Sequence, residues 1–325
     1  MGDNTMLYLS RADVIATGVT MAEVIELVKT GFREKGAGRV EMPPKPGIHP
    51  GAKDNFIHAM PAYIPAMGAA GMKWVSGYPG NQQRGLPYIS GLLILNDPET
   101  GLPLAVMDCV WITAMRTGAA TAVAAQCLAR PDSAVLGVLG CGVQGRSNMQ
   151  ALHTCFPLQR VMAYDLEPAG AQRFAEWGRD QLGLEVVPVD DARRAVSGCD
   201  LIVTAGPILK VPHATIQAGW MDAGAFASMV DYDTYWQRAA LREVDKFCTD
   251  DVPQLRHYAS MGYFEDIPEI YADLGELVSG AKPGRETREE RTIACNLGLA
   301  LDDMAVAPTV YRLAVEKNIG TTLPL

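Results

Sequence analysis

The stretch that decides the fold is SAVLGVLGCGVQG, residues 133–145. Its first half is a short apolar run rich in branched residues, which predicts a strand buried on both faces. The glycines that follow allow a sharp turn into a helix that should begin near Gln144. In the spacing Gly140-x-Gly142-x-x-Gly145, the first glycine permits the turn, the second lets backbone approach a pyrophosphate, and the third lets helix pack against strand. We therefore expect a dinucleotide to bind here, at the unpaired amides of the helix N-terminus.

The residues downstream continue the alternation of strand and helix that this motif needs. Residues 160–165 (RVMAYD) predict a second strand that ends in Asp165, about 20 residues past the last glycine, where an acceptor for a ribose hydroxyl belongs. Asp165 could also cap the helix before Pro168, and the two roles can coexist. Residues 184–188 and 201–205 predict two further strands. A Rossmann-type dinucleotide-binding domain is expected here.

The region before this stretch is organised differently, because its predicted strands follow one another without intervening helices. A capping box at Thr20 and Glu23 opens a helix that glycines end near residue 36. The strands predicted for a mixed or antiparallel sheet are residues 55–63, 69–76, 90–96 and 103–109, with a hairpin turn at 97–101. A long helix at 112–129 should lead into the second domain.

Four segments complete the pattern towards the C-terminus. Strands are expected at 219–226 and 246–249. The highly charged residues 281–291 are typical of a solvated loop and the start of a helix. Residues 292–315 have helical period, with a break expected at Pro308, and the last part of this helix should return to the first domain.

The composition limits the class of protein. At 325 residues, the chain is long enough for two domains with cores of their own. The net charge of -9, with no segment that concentrates lysine and arginine, argues against nucleic acid or an anionic membrane as a partner. No apolar run reaches the roughly 18 residues of a spanning helix, and no signal peptide is evident, so we expect a cytoplasmic protein. The spacing of the seven cysteines and five histidines predicts neither disulfides nor a metal site.

Four charged residues stand in apolar or glycine-rich surroundings: Lys45, Lys73, Arg116 and Asp231. Strand alternation directs Lys73 to a polar face or into a ligand site, and the alternative is a surface lysine. Arg116 near a helix start opposes the helix dipole, which suggests a bound anion or a carboxylate beside it. Asp231 follows the apolar residues 226–230, so it should lie at the ligand end of a strand, or else cap a helix just beyond it.

Several motifs occur in order across both predicted domains. They are KWVSGYPGN at 73–81, GLP at 85–87, Asp108, TAMRTGAA at 113–120, GCGVQG at 140–145 and GLALDD at 298–303. Together these motifs resemble the ornithine cyclodeaminase/mu-crystallin family, and the resemblance covers nearly the whole chain. Members of that family are ornithine and lysine cyclodeaminases, alanine dehydrogenases, and reductases of cyclic ketimines and other imino acids.

The resemblance implies an α/β protein with two domains. Residues 1–117 and 304–325 would form an α+β domain that binds substrate and makes a homodimer, and residues 118–303 would form the Rossmann domain. Lys45 and Arg116 match carboxylate-binding positions, Lys73 the substrate-binding lysine, and Asp231 the catalytic aspartate. The positions matching cofactor-binding residues are Arg116, Thr117, Gly140, Gly142, Val143, Gln144, Gly145, Asp165, Thr204, Ala205 and Asn296.

The chain departs from the cyclodeaminase pattern around the substrate. Lys45 presents a point charge where relatives often have the planar fork of an arginine. Tyr88 stands where cyclodeaminases have threonine, and Asn296 replaces a serine. Asp231 is not followed by the Pro-Gly-Lys of cyclodeaminases. These differences favour another amino-acid or imino-acid enzyme of the family.

The prediction for function is an NAD(H)-dependent oxidoreductase that transfers hydride at the alpha carbon of a small amino or imino acid, of the imino-acid reductase or alanine dehydrogenase type. Asp231 would manage the proton, and Lys73, crowded by cations, could share in that exchange. The acids at 165 and 167 should repel a 2'-phosphate, which favours NAD(H) over NADP(H). The alternatives are an ornithine or lysine cyclodeaminase that recycles its NAD, and a binding protein without turnover.

Overall fold

The computed structural model describes residues 5–51 and 54–325. The chain divides into two compact units, one made of the residues up to Arg116 together with Leu299–Leu325, and the other of Thr117–Gly298. The first boundary lies one residue before the expected one. The second lies at Leu299 instead of residue 304, because the first turn of the last helix carries ion-pair partners of the first unit.

The strands, in chain order, are β1 (Thr5–Leu9), β2 (Gly47–Ile48), β3 (Phe56–Ile64), β4 (Ala69–Gly77), β5 (Ile89–Asn96), β6 (Pro103–Asp108), β7 (Val135–Leu139), β8 (Arg160–Tyr164), β9 (Glu185–Pro188), β10 (Leu201–Thr204), β11 (Phe226–Met229), β12 (Lys246–Thr249), β13 (Ile270–Asp273), β14 (Thr292–Cys295) and β15 (Thr321–Pro324). The α-helices are α1 (Arg11–Ala16), α2 (Met21–Gly36), α3 (Val110–Leu128), α4 (Val143–Cys155), α5 (Pro168–Leu182), α6 (Arg238–Leu241), α7 (Val252–Ser260), α8 (Leu274–Ser279) and α9 (Ala300–Glu316).

The first unit is built on a seven-stranded mixed sheet with the order β15-β1-β6-β5-β4-β3-β2. Its four predicted strands form within one residue of the expected ends. The helix α9 packs on β3 and β4, and α2 packs on α9, so one face of the sheet is covered. Alternation along β4 turns Lys73 to this covered face, where it lies opposite Met60 of β3 and Leu93 of β5. The charged side chain of Lys73 therefore lies in a row of apolar residues across the sheet.

The second unit is an eight-stranded parallel sheet with the order β13-β12-β14-β11-β10-β7-β8-β9. The chain leaves β7 towards β8 on one side and returns to β10 on the other side of β7. Ligands of open parallel sheets bind at such a point of reversal, outside the carboxyl ends of the strands. The glycine-rich turn follows β7, and Asp231 follows β11, so both lie at this edge of the sheet. The α/β fold with a Rossmann-type domain is confirmed.

Several segments differ from the prediction. Thr292–Cys295 forms the buried strand β14, paired on both sides in parallel, and this pairing outweighs the helical period expected for residues 292–315. The helix α9 continues through Pro308 without a break. Residues 219–225 are not a strand, because Gly219 and Gly224 have φ angles of 77° and 83°, and β11 begins only at Phe226.

The segment at 281–291 is a loop, without the helix start that was expected. Arg285 organises it by donating hydrogen bonds to the carbonyl oxygens of Leu128 (2.8 Å) and Glu290 (2.6 Å). At the other end of the chain, β1 and β15 pair at the edge of the first sheet, which was not predicted. Within the described ranges, no helix is both long and apolar enough to cross a bilayer.

Candidate active site

A buried cluster of four charges lies in the first unit. The Nζ atom of Lys73 is 2.6 Å from Oδ2 of Asp303 and 3.4 Å from the hydroxyl oxygen of Thr113. Arg116 donates from Nε to Oδ1 of Asp303 (3.2 Å) and from Nη1 to Oδ2 of Asp302 (3.4 Å). One carboxylate, Asp303, thus joins both cations. Lys73 and both aspartates have no solvent exposure, and Arg116 has 5%.

The helix α9 explains how the two acids reach these cations. Asp302 and Asp303 stand in its first turn, where negative charge is favourable for the helix dipole. Asp302 also accepts a hydrogen bond at Oδ2 from the backbone N–H of Leu299 (3.0 Å), which fixes the start of the helix. The carboxylate that was expected beside Arg116 is therefore supplied by the protein itself. Two adjacent acids in the apolar run GLALDDMAVA were the signal in the sequence.

The pKa values in the cluster move in opposite directions. Burial lowers the pKa of Lys73, and the nearby Arg116 lowers it further, while Asp303 opposes both effects. Burial raises the pKa of Asp302 to about 6, and Arg116 opposes that shift. The cluster carries two positive and two negative charges when all four groups are ionised. Groups this deeply buried remain charged only when each has a partner.

Lys45 lies in the first unit, on the loop that precedes β2. It is 7% exposed, and the carbonyl oxygen of the next residue, Pro46, accepts a hydrogen bond from the N–H of Ala59 on β3 (3.0 Å). The strand β3 therefore lies between the segment of Lys45 and the strand that carries Lys73. Lys45 belongs to the same unit as Lys73 and Arg116, and its role in binding stays a prediction.

The three glycines of the turn after β7 meet three different surroundings. Gly140 has a φ of 98°, and a Cβ there would lie 2.6 Å from the backbone of Ala205. A Cβ on Gly145 would lie 2.3 Å from the carbonyl oxygen of Gly140. A Cβ on Gly142 would meet no atom within 4 Å. These are the geometries of the tight turn, the close helix contact and the open approach that a pyrophosphate needs.

The start of α4 presents backbone hydrogen-bond donors that suit an anion. Its N-cap, Gly142, provides no side-chain hydrogen bond, and Val143 is 58% exposed. Within the described ranges, no N-cap side chain therefore accepts from the amides of this first turn. Gln144 lies in the same turn, and its side-chain oxygen is 3.3 Å from the hydroxyl of Ser147. The open space at Gly142 and these amides fit a dinucleotide phosphate.

Asp165 follows β8 and stabilises the glycine-rich turn through hydrogen bonds. Its Oδ2 accepts from the N–H of Cys141 (2.8 Å), and its Oδ1 accepts from the N–H of Glu167 (3.0 Å). Each carboxylate oxygen can accept a second hydrogen bond, so a ribose hydroxyl could still bind. The N-cap of α5 is Glu167 and not Asp165, so the expected capping role is wrong.

Asp231 is fully buried just beyond the end of β11. Its Oδ1 accepts from the hydroxyl of Thr204 (2.7 Å), and its Oδ2 accepts from the N–H of Gly206 (3.0 Å). Burial raises its pKa to about 7, despite these hydrogen bonds. Asp231 caps no helix, because α6 begins only at Arg238, and Arg238 instead pairs with Asp233 at 2.8 Å. Such a carboxyl can both give and accept a proton near neutral pH.

Some predicted cofactor residues are engaged within the second unit. The hydroxyl of Thr204 donates to Asp231 and lies 3.4 Å from Nε1 of Trp236, so it orients the carboxylate. The N–H of Ala205 donates to the carbonyl oxygen of Leu139 (2.7 Å). Thr117 is buried in α3. A cofactor role for the Thr204 and Thr117 side chains or for the Ala205 backbone stays a prediction.

Asn296 keeps one free atom. Its Nδ2 donates to the hydroxyl of Ser228 (2.9 Å) and lies 3.4 Å from the hydroxyl of Thr121. Its Oδ1 has no hydrogen-bond partner in the described part of the chain, although the residue is only 2% exposed. A buried acceptor without a partner is costly, and a donor group of a bound ligand would satisfy it.

The comparison with known proteins assigns the family. The model of the ornithine cyclodeaminase/mu-crystallin family matches residues 4–318. The chain belongs to this family. The predicted resemblance is therefore confirmed.

Relatives within the family include dehydrogenases and reductases. The chain is 36% identical to an alanine dehydrogenase from Archaeoglobus fulgidus, over 94% of both proteins. It is 34% identical to the Δ1-pyrroline-2-carboxylate reductase of Thermococcus litoralis, whose structure with NADH and L-proline matches with a TM-score of 0.89 over 97% of this chain and 99% of that one. An archaeal alanine dehydrogenase dimer with bound NAD matches with 34% identity and a TM-score of 0.87, over 99% of both chains.

The site residues thus fall into two groups, one in each unit. Lys45, Lys73 and Arg116 lie in the first unit, with the unpredicted Asp302 and Asp303. The glycine-rich turn, Asp231 and the predicted cofactor residues other than Arg116 lie in the second. Among the described residues, no group of three or more His, Cys, Asp or Glu side chains could hold a metal ion.

Proposed function

We propose that this protein is an NAD(H)-dependent oxidoreductase that reduces or oxidises a small amino or imino acid at its alpha carbon. The observation that carries the proposal is Asp231, a fully buried carboxyl group with a pKa of about 7, held at the ligand edge of a dinucleotide-binding sheet. A proton-exchanging group in that position is what interconversion of an imine and an amine requires beside a redox cofactor. The relatives named above support this class of reaction.

The turn after β7 would hold the cofactor. The backbone at Gly142 leaves room for the pyrophosphate, and the first amides of α4 would donate to it. Asp165 would accept from the adenosine ribose, and the free Oδ1 of Asn296 could accept from an amide of the cofactor. When bound, NAD(H) supplies or accepts the hydride. Because the protein contributes position and electrostatics, these contacts fix where that exchange takes place.

The first unit would hold the carboxylate of the substrate. Arg116 and Lys73 are held in place by ion pairs with Asp302 and Asp303. Because these side chains are already ordered, binding of a carboxylate costs little further conformational entropy. Lys45, as a third buried cation of the same unit, would add to the attraction. Holding the carboxylate orients the alpha carbon, which turns an encounter into a positioned reaction.

Asp231 would move the proton of the reaction. In reduction, it would give a proton to the substrate nitrogen or to a water molecule, and in oxidation it would take one back. Thr204 and Gly206 hold both carboxylate oxygens with neutral donors, so the group stays oriented in either protonation state. A pKa near the working pH lets the same carboxyl serve both directions.

We propose NAD(H) as the preferred cofactor over NADP(H). Asp165 already uses both oxygens to brace the turn, and the exposed Glu167 lies two residues on, so a 2'-phosphate would meet two acids. The ratio of kcat/KM values for NADH and NADPH measures the preference. We expect NADH to be favoured, and a tenfold preference for NADPH would contradict this assignment.

We further propose that the protein is a homodimer, joined at the outer face of the first sheet. Trp74 and Leu92 are paired across β4 and β5 on this face, and they are 44% and 45% exposed. Tyr8 on β1 and Tyr63 on β3 are further large side chains of the same sheet that are exposed, at 39% and 37%. Large exposed apolar patches mark interfaces, and one related structure is a dimer. Sedimentation should give a dimer that Trp74→Glu dissociates, whereas a monomeric wild-type protein would refute the proposal.

The reaction itself is tested by following NADH absorbance with a panel of preformed cyclic imines and of 2-keto acids with ammonia or amines. We expect at least one imino acid to be reduced with one NADH consumed for each product formed. Release of ammonia from ornithine or lysine, with tightly bound NAD and no net change in absorbance, would instead identify a cyclodeaminase. No turnover with any of these substrates would refute the enzyme proposal.

A further inference from the structure

Binding of a substrate would change the net charge of the buried cluster in the first unit. This step rests on the proposed function, in which a carboxylate binds to Arg116 and Lys73. The cluster of Lys73, Arg116, Asp302 and Asp303 is neutral when all four groups are ionised, and none of the four is more than 5% exposed. A bound carboxylate would add a third negative charge to this buried set. An uncompensated buried charge is costly, and protonation of one acid of the cluster would remove it.

The two acids of the cluster are held very differently. Asp303 uses both oxygens on cations, with Oδ2 at 2.6 Å from Lys73 and Oδ1 at 3.2 Å from Arg116. The contacts of Asp302 are the longer one of 3.4 Å to Arg116 and a hydrogen bond from Leu299, both at Oδ2. Its Oδ1 has no hydrogen-bond partner among residues 5–51 and 54–325. Asp302 therefore has the weaker cationic support and an oxygen ready to carry a proton.

Three other titratable groups on elements near the cluster have partners of their own or do not ionise. On β3, His58 stacks on Phe56, with ring centroids 4.4 Å apart. On α2, the buried acid Glu34 accepts from Nε of Arg39 at 2.7 Å. The thiol of Cys109 has its pKa raised to about 11 by burial, so it stays protonated. The charges with the largest effect on the pKa of Asp302 are those of Arg116, Asp303 and Lys73.

We propose that Asp302 takes up one proton from the solvent when the substrate carboxylate binds to Arg116 and Lys73, so that the buried cluster stays neutral. Asp302 is then a positioning residue, because it acts through Arg116 and forms no bond with the substrate. Burial already holds its pKa at about 6 in the free protein. A further negative charge within about 4–6 Å raises such a pKa again, through neutral pH.

The inference has a thermodynamic consequence for affinity. Ligand binding coupled to uptake of one proton weakens by up to about tenfold for each pH unit above the pKa of the free group. The probe should be pyrrole-2-carboxylate, which has the carboxylate and ring of a cyclic imino acid but no reducible C=N bond. Its carboxyl group stays ionised throughout the range of pH 6.5 to 8, so any titration belongs to the protein.

The experiment is calorimetric titration of the full chain, saturated with NADH, in buffers of different ionisation enthalpy. We expect the wild-type protein to take up most of one proton at pH 7.5, and the Kd to rise with pH. Asp302→Asn should abolish both effects, and Asp302→Glu should restore them. Glu316→Gln is the matched control, because it alters an exposed acid at the far end of the same helix and should change neither.

A second measurement needs no variant of the cluster. Infrared difference spectra of the wild-type protein with and without the probe should gain the carbonyl band of a protonated carboxyl group, and this band should shift in D2O. Absence of the band, or its loss in Asp231→Asn, would overturn the proposal, as would proton uptake that persists in Asp302→Asn and so belongs to Lys73 or Asp231.

These outcomes are distinct from a failure of the proposed function. A protein that reduces an imino acid with NADH but binds the probe without proton uptake would overturn the role of Asp302 and leave the reaction intact. A protein that neither binds the probe nor turns over any substrate would refute the function, and the inference with it.

Discussion

The two units both bury carboxylates, but they hold them in opposite ways. In the first unit, Asp303 is paired with Lys73 and Arg116, so its charge is fixed by cations. In the second, Asp231 receives hydrogen bonds from a hydroxyl and a backbone N–H, which are neutral donors. This difference suits the separate roles proposed for the two groups. In the proposed reaction, the paired charges would hold the substrate, whereas a carboxyl group held by neutral donors, with its pKa near 7, is suited to exchange a proton.

The largest effect is expected from removing the exchangeable proton. Asp231→Asn should lower kcat by about 10²–10⁴-fold, because an amide can neither give nor take the proton. The Kd for NADH should hardly change. Asp233→Asn, two residues further on, is the control, since Asp233 forms an ion pair with Arg238. Stopped-flow kinetics and fluorescence titration with NADH measure both effects, and a near-normal kcat would remove Asp231 from this role.

Breaking a pair in the first unit should cost stability as well as activity. Lys73→Met leaves the buried Oδ2 of Asp303 without its closest cation, and we expect a loss of about 3–5 kcal/mol in the free energy of unfolding. The double variant Lys73→Met, Asp303→Leu should recover much of that loss but none of the activity. Urea unfolding checks both values. If the single variant were as stable as the wild type, the cluster would not be the buried pair described here.

The proton on Asp231 should also make stability depend on pH. Its folded pKa, about 7, exceeds its ordinary value of 3.8, so the folded protein binds this proton more tightly than the unfolded chain does. The contribution of Asp231 to stability is therefore complete below about pH 4 and is lost as the pH rises to 7. Relative to Asp231→Asn, the wild type should lose about 1.4 kcal/mol per pH unit in that window. Parallel urea titrations from pH 5 to 7 measure the difference, and a constant difference would contradict it.

A smaller effect distinguishes the glycines of the turn. Gly145→Ala should destabilise the second unit by about 1–3 kcal/mol, since its Cβ would lie 2.3 Å from the carbonyl oxygen of Gly140. Gly142→Ala meets no atom within 4 Å and should cost less stability, while raising the Kd for NADH. Thermal unfolding and NADH titration separate the two, and equal effects of both variants on NADH would contradict the assignment of Gly142.

Much of the fold and part of the candidate site could be predicted from the sequence, because local residue patterns specify them. The turn at 140–145 and the strands of the first sheet follow from glycine spacing and alternation of apolar residues. The strand β14 could not be read, since only pairing with β11 and β12 turns a short run into a strand. The partnership of Lys73 with Asp303 joins residues far apart in the chain, and no local pattern contains it.

The most direct test of the account follows the hydride itself. The protein is incubated with an imino acid and NADH that carries deuterium at the transferable position, and the product is analysed by mass spectrometry and NMR. We predict one deuterium on the alpha carbon of the amino acid product, with one NADH oxidised for each. Product without deuterium, or ammonia released while NADH stays unchanged, would contradict the claim that this protein is an amino-acid or imino-acid oxidoreductase.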